Sequence, residues 1–561
     1  MLTAQSLDKD LEHVVSIART HLNGLFGKSD PVAEDWMPSA LFLRVNVTLR
    51  VRGVVRGSMS GHGETFRSQL LDAVYRASRD NRFSGSLVKA DLDHVSVEVW
   101  LQTSAESIPM HERGNEDVVL LGVDGVEVSQ GKSFAYYKPS VALTSHHTTP
   151  QSLFSALCKK ANLLADAWSD IDCHLRKTSW IHLCETPSGS VAQMTALRTM
   201  DPFAVSAEAM VQWIQNGVSY FNNNQYPDGY FCYLYRPFLD VAKKTEINPV
   251  RASGCAYAIA AAASLSQLDN DPETKVCAER AVNAILRRSV RSEGGGSYIA
   301  DGSLEPPTGK LGTTALLLLA LLTPHFCATY GHQIDDLLTG IKSAQLESGL
   351  FDCTFGASHS SDSQINFFPG QALLALVMRT EQGDESCRPH YRRAFIPYRD
   401  HFRISPSTAF VGWQADVWSR AALLDNNADY ANFVFEQIDW LLQFQIHSDK
   451  QQLTSGGFSW NGKPPGYSSI VYTEAIARGA DLANRLGDNR WIRYREAFRE
   501  GIQFCSRLRL TREQSVFFPH PSRAIGGMTE STANFDVRSD VVQHAITLAL
   551  AVLERPILHD E

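Results

Sequence analysis

The chain has 561 residues, 44% of them hydrophobic and 20% charged, which suits a globular protein with a large core and more than one domain. A formal net charge of -9 with no run of like charges argues against a nucleic-acid or anionic-membrane surface. Ten cysteines without a CxxC pair or regular spacing argue against a disulfide framework or a structural zinc site and predict buried, reduced thiols.

Met1 to Asp10 lack a basic segment followed by an apolar core, so no signal peptide is predicted. The longest apolar run, Thr314 to Leu322, falls well short of the ~20 residues of a membrane span. A cytoplasmic protein is expected, without a membrane or nucleic-acid partner and without a cofactor.

Leu7 to Leu25 reads as a helix. Ala40 to Arg52 alternates like a half-buried strand that breaks at Gly53, and Val54 to Gly61 continues as a second strand ending in small residues. Phe66 to Arg79 has the period of an amphipathic helix, Asp93 to Leu101 alternates again, Val118 to Val128 reads as a glycine-interrupted hairpin, and Gln151 to Ala167 is predicted helical. Together they predict an α+β domain with an antiparallel sheet over residues 1–190, ended by the linker-like Pro187-Ser-Gly-Ser-Val-Ala.

Within this part, Arg56-Gly-Ser-Met59, Asp80-Asn-Arg-Phe83, Val95-Ser-Val-Glu-Val99, Gly122-Val-Asp-Gly-Val126 and the Leu153 to Leu163 segment follow one another in an order that resembles the AMMECR family (Alport, midface hypoplasia and elliptocytosis chromosomal region proteins). The resemblance covers residues 1–185, about a third of the chain. The family's Leu-Arg-Gly-Cys-Ile-Gly motif falls on Val55 to Ser60. Arg56 and Gly57 are kept, whereas Ser58 stands where the family has cysteine and Ser60 where it has glycine. If that thiol is a nucleophile or ligand in the family, a serine without an activating base is far weaker, and the site is altered or silent. A ligand pocket at Arg56 and Ser58 competes with a purely structural turn.

Beyond residue 195, amphipathic helices alternate with helices that are apolar nearly all round. The amphipathic set is Val205 to Phe221, Pro272 to Val290, Tyr330 to Gln345, His390 to Phe402, Ala428 to Gln445 and Asn489 to Leu508, whose charged stripes predict a solvated outer ring. The apolar set starts at residues 251, 312, 368, 413, 469 and 538, at intervals of 61, 56, 45, 56 and 69. Glycine-aromatic segments such as Asp228-Gly-Tyr-Phe, Ser348-Gly-Leu-Phe and Ser455-Gly-Gly-Phe precede most of them, though Arg403 to Val411 lacks that form. Six such helical pairs over residues 195–561 predict a closed all-α ring. This arrangement resembles the six-hairpin glycosidase-like (α/α)6 toroid, whose members bind ligands in a funnel where the inner helices start. The resemblance admits glycoside hydrolases, lyases, sugar 2-epimerases and, with other chemistry, terpenoid or lanthionine cyclases. The Asp-rich DxDD signature of the terpenoid cyclases is absent, Asp335-Asp336 sits on an outer helix, and Cys353 with His359 makes no recognisable zinc set.

Funnel candidates are Asp228, Tyr230, Tyr235, Arg236, Asn248, Arg251, Phe355, Gln371, Trp413, Asp416, Trp460, Tyr472, Glu474, Arg538, Asp540 and His544. Glycosidic cleavage needs two carboxyls across the bond, for which Glu474 as acid and Asp540 or Asp228 as base are predicted. Each competes with helix capping or arginine pairing. Tyr230, Trp413, Trp460 and Tyr472 are candidates to stack on sugar faces. Arg538, Asp540, Gln543 and His544 fall at i, i+2, i+5 and i+6, so Asp540 and His544 share a face and the carboxylate is placed to orient an epimerase-type histidine base. Three readings stand: a hydrolase or lyase using carboxylates on a sugar-like or other polar small molecule, an epimerase or isomerase using His544, and a non-catalytic scaffold whose funnel takes a peptide or partner. In each, the two domains are expected to touch.

Overall fold

The computed structural model describes residues 4–28, 42–83, 85–243, 248–268, 271–292, 294–302, 306–356, 362–447 and 453–554. The N-terminal part runs α1 (Ala4–Leu25), β1 (Arg44–Val51), β2 (Val54–Ser60), α2 (Phe66–Ser78), β3 (Val95–Ser107), β4 (Gly125–Gln130), β5 (Ser133–Tyr137), α3 (Pro139–Thr144), α4 (Pro150–Lys160), β6 (His174–Glu185) and β7 (Val191–Met194). The strands form one antiparallel sheet in the order β2-β1-β3-β6-β4-β5, with β7 also paired to β6.

Alternation fixes the two faces of this sheet. Val45, Val47, Leu49, Val97, Val99 and Leu101 share a core with α1 and α2, while Asn46, Thr48, Arg50, Glu98 and Trp100 take the other face. Gly57 of β2 lies under α2, where a Cβ would stand 1.9 Å from the Ala77 carbonyl oxygen, so any side chain there would push the helix off the sheet.

Two expectations for this part need correction. The hairpin lies between β4 and β5 and turns at Gly131-Lys132, so Val118 to Val128 holds one strand and the turn that leads into it. The helix from residue 150 stops at Lys160, because Asn162 adopts φ +59° and the Leu163 amide closes back on the Cys158 carbonyl. The long central strand β6 was not anticipated. Residues 40–41 and His359 lie outside the described residues.

Among the described residues, the rest of the chain holds twelve long helices in six pairs, with short strands in the connections between them. The outer members are α5 (Ala207–Asn224), α7 (Pro272–Leu286), α9 (Gly331–Ser343), α11 (Arg388–Ile404), α13 (Ala428–Leu441) and α15 (Arg490–Arg507). The inner members are α6 (Pro249–Ala263), α8 (Leu311–Leu321), α10 (Phe368–Glu381), α12 (Thr408–Asp425), α14 (Ser468–Arg485) and, after the short turn α16 (Pro521–Ala524), α17 (Ser539–Leu553). Each inner helix packs on the next, and α17 packs on α6, which closes the ring. Every residue of α8 is buried, as required of a helix with no polar face. The fourth inner helix begins at Thr408, ahead of the expected 413, because only Ser405 to Ser407 separate it from α11. The chain is thus an α+β domain with an antiparallel sheet followed by an all-α (α/α)6 toroid.

A repeated clamp spaces the outer ring. Gln225 donates through Nε2 to the Gly229 carbonyl of its own loop (3.1 Å) and to the Cys277 carbonyl of α7 (2.9 Å). Gln345 does the same to Gly349 (3.0 Å) and His390 of α11 (2.9 Å), and Gln445 to Gly456 (3.2 Å) and Ala497 of α15 (2.8 Å). The loop glycine must be bare: Gly349 has φ +91° and its Cβ would lie 2.4 Å from the Arg393 carbonyl oxygen.

Gly349→Ala is expected to destabilise the protein by about 1–3 kcal/mol, from left-handed strain and the clash together. Gly331→Ala, at an open helix start, is the control and should shift the urea midpoint little. Equal midpoints for the two variants would remove the clamp from the account of ring spacing.

Candidate functional site

A basin of about 380 Å³ opens at the N-terminal ends of the inner helices, and all six contribute to its lining. Asn248 precedes α6 and Arg251 lies on it, Lys310 precedes α8 and Leu316 lies on it, Phe367 precedes α10 and Phe368 and Gln371 lie on it, and Ala409 and Trp413 lie on α12. Tyr467, Ser468, Val471 and Tyr472 come from α14, and Arg538, Asp540, Gln543 and His544 from α17. The sequence candidates brought together here are Asn248, Arg251, Gln371, Trp413, Tyr472, Arg538, Asp540 and His544.

Asp540 is not a free carboxylate. Arg538 grips it with Nε on Oδ1 (3.0 Å) and a terminal nitrogen on Oδ2 (2.5 Å), and Arg251 approaches Oδ2 at 3.3 Å. The pairing raises the Arg538 guanidinium above its ordinary value against the opposing effect of burial. Both arginines also lie over tyrosine rings, Arg538 at 4.5 Å from Tyr467 and Arg251 at 4.7 Å from Tyr233. Asn248 caps α6 by accepting the Arg251 amide at 3.3 Å. Two guanidiniums facing one carboxylate, beneath six converging helix N-termini, make the mouth receptive to a ligand rich in oxygen or bearing negative charge.

His544 lies one turn deeper, its ring 5.9 Å from that of Trp413. Burial lowers its pKa to about 4, with Arg538 adding to the shift and Asp540 opposing it. Because the oxygens of Asp540 are held by the arginines, Asp540 acts on the imidazole through space and does not orient it. The imidazole is neutral at pH 7. Two amide atoms of lining residues, Oε1 of Gln371 and Nε2 of Gln543, are buried and have no protein hydrogen-bond partner among the described residues. The hydroxyl of Tyr472 is occupied by Thr408 (2.7 Å), so its ring is what it offers.

The remaining candidates are placed elsewhere. Glu474 points into the ring wall, where Thr547 donates to it at 2.9 Å and Arg478 lies 3.7 Å away. Burial raises its pKa to about 7, with Arg478 opposing and Asp416 adding. Asp416 belongs to the same network, paired with Arg420 (3.0 Å) and Arg478 (3.4 Å), which in turn reach Glu381 and Glu554 toward the opposite end of the ring. Asp228 accepts the Tyr230 amide at 3.1 Å within a surface loop, and the Tyr230 hydroxyl donates to the Ala284 carbonyl. Trp460 packs edge-on against Trp440 and Phe444, Tyr235 donates to Asp240, Arg236 reaches Asp536, and Phe355 stacks on Tyr298. None of these eight side chains lines the basin. On the N-terminal sheet, Arg56 pairs with Asp91 at 3.8 Å, whereas Ser58 Oγ lies 3.1 Å from Lys138 Nζ. Among the described residues no His, Cys, Asp and Glu cluster could hold a metal ion, and no helix is long and apolar enough to cross a membrane.

Lys310, Phe367 and Tyr467 were not anticipated. A positional signal identifies them: with Asn248 and Arg538 they are the residues immediately preceding the inner helices, and none of the three uses its side chain to cap its own helix.

The depressed pKa of His544 carries a stability consequence. The unfolded histidine takes up a proton near pH 6.5 and the folded one only near 4, so this group contributes stability above pH 6.5 that is lost as the pH falls toward 4. The drop in melting temperature between pH 7 and pH 5 should therefore be smaller in His544→Asn than in the parent protein. Identical drops would show that the imidazole titrates normally.

Residues 5–178 match the AMMECR1 family model. No curated protein matches the chain. Among solved structures, an uncharacterised protein from Pyrococcus horikoshii is similar at 24% identity over 33% of this chain and 97% of its own, with a TM-score of 0.30. A D-mannose isomerase is similar at 12% identity over 62% of this chain and 97% of its own, with a TM-score of 0.46. A family 76 glycoside hydrolase from a bovine Bacteroides thetaiotaomicron strain is similar at 10% identity over 82% of this chain and 96% of its own, with a TM-score of 0.45. The chain therefore carries an AMMECR1-family domain at residues 5–178, followed by a closed (α/α)6 toroid.

Proposed function

We propose that the toroid is an isomerase or epimerase of a sugar-like small molecule, with His544 as the base that moves a carbon-bound proton. The observation that carries this reading is a neutral imidazole on the lining of the basin, beside Trp413, with the one carboxylate among the described residues of that lining held by two arginines. Proton abstraction needs a base that is unprotonated at working pH, which burial secures for His544. The rings of Trp413 and Tyr472 offer apolar faces to a sugar's C–H bonds, and Arg251 and Arg538 would polarise a carbonyl or hold a charged substituent.

The carboxylate hydrolase reading has less support, because it needs two carboxyls facing one bond across the basin. Asp540 is paired with arginines, and Glu474 lies in the buried network beneath. In this proposal residues 1–190 and 195–561 are two domains of one cytoplasmic enzyme and touch each other, Phe517 of the toroid segment lying 6.0 Å from the His182 ring and under the Arg50 guanidinium. Ten free cysteines suit a reducing compartment.

The test is exchange of a carbon-bound hydrogen with solvent deuterium, followed by NMR over a panel of aldoses, ketoses and uronic acids. The parent protein should exchange one position of at least one sugar. His544→Asn should lose the rate by 10²-fold or more, the usual contribution of a general base, with sugar affinity kept, and Trp413→Ala should weaken binding. Full exchange by His544→Asn, or none by the parent on any sugar, would end the proposal.

A further inference from the structure

Serine replaces cysteine at residue 58, and the structure supplies the base that the sequence alone does not reveal. Lys138 projects from the start of α3 onto the polar face of the sheet, 8% exposed, with its Nζ 3.1 Å from Ser58 Oγ, 3.0 Å from Asn46 Oδ1 and in contact with Thr48 Oγ1. Ser58 Oγ also lies 3.0 Å from Thr48 Oγ1. No carboxylate pairs directly with this ammonium among the described residues. The nearby Glu98 on β3 is instead engaged by Arg50 at 2.5 Å and by His182 Nε2 at 2.9 Å, with the His182 ring stacked on Trp100 at 3.7 Å. Burial lowers the Lys138 pKa to about 7, with Arg50 and Lys160 adding to the shift and Glu98 opposing it.

Ser58 is half-buried, and cations surround it. Arg82 donates to the Ser58 carbonyl at 2.8 Å, Lys160 donates to the Tyr136 carbonyl at 2.8 Å, and the Arg44 guanidinium lies 4.1 Å from the centre of the Tyr136 ring. Tyr136 itself meets Ser60 Oγ at 2.6 Å. Arg82 is matched by Asp80 and Arg44 by Glu127, while Lys160 has no carboxylate partner among the described residues.

We propose that Ser58 and Lys138 form a nucleophile and base pair that hydrolyses an ester or thioester whose acyl group carries a negative charge. Lys138 Nζ takes the Ser58 proton as Oγ bonds to the acyl carbon. The bond to the leaving oxygen or sulfur breaks, and that atom receives the proton from Lys138. Water then adds to the acyl-serine and gives a proton to Lys138. The Ser58 oxygen leaves and recovers that proton, so one water is consumed and a carboxylic acid and an alcohol or thiol are released. The reaction is separate from the chemistry proposed for the toroid and does not depend on His544.

The probe is an alkyl fluorophosphonate on the full chain, followed by intact mass and peptide mapping. One adduct on Ser58 is expected, absent in Ser58→Ala, which removes only a hydroxyl, and unaffected by His544→Asn. The labelling rate of the parent protein, which needs no variant, should rise at least tenfold between pH 6 and pH 8 as Lys138 loses its proton in the field of Arg50, Glu98, His182 and Lys160. Mono-p-nitrophenyl succinate should be hydrolysed faster than p-nitrophenyl acetate, relative to their rates in buffer. No adduct, an adduct surviving Ser58→Ala, or a rate independent of pH would overturn the dyad. A preference for the acetate would overturn the anionic substrate.

Discussion

Water cannot be offered to the inner helices, and the rest of the toroid follows from that constraint. A helix such as α8, buried along its whole length, is stable only if neighbours cover every side of it. Six of them in sequence satisfy one another by closing, α17 against α6. Closure brings six helix starts to one mouth, so the residues that begin each inner helix are drawn together although they lie tens of residues apart.

Burial then decides what each ionisable group can do. Asp540 and His544 are four residues apart on α17 and have different fates: the carboxylate is neutralised by Arg251 and Arg538, and the imidazole, without a direct charge partner, is driven to its neutral form. The same logic operates in the N-terminal sheet, where Glu98 is matched by Arg50 and His182 while Lys138 is left among hydroxyls and an amide oxygen. In both domains burial favours the neutral form of the group whose charge the surroundings do not balance.

Much of this architecture is legible in the amino-acid order. Five of the six inner helices start within two residues of the expected positions, because an apolar run with a polar first turn has few other uses. Trp413 misled the placement of the fourth: it lies inside α12, and a three-residue connection carries no glycine signal. Strand β6 escaped notice because Arg176, Lys177 and His182 interrupt its apolar pattern, whereas its backbone is held on both sides by β3 and β4. Site residues were harder to read. Tyr472 lines the basin and Glu474 does not, since two residues on a helix turn the side chain by about 200°, away from the channel and into the wall. Nothing in the order of residues joins Ser58 to Lys138, which comes eighty positions later and meets it only through the stacking of strands.

The glutamine clamps of the outer ring reach peptide carbonyls through Nε2, at Cys277, His390 and Ala497 alike, and Gln345 adds side-chain contacts through Oε1, with the His390 ring and with Arg393. The carbonyl half of the grip does not depend on which side chain the gripped residue carries. The outer wall can drift in composition, acquiring or shedding surface charge, while in three of the six modules one amide and one bare loop residue hold the spacing of neighbouring outer helices. Such a scaffold tolerates change on its exterior and transmits little of it to the chamber within.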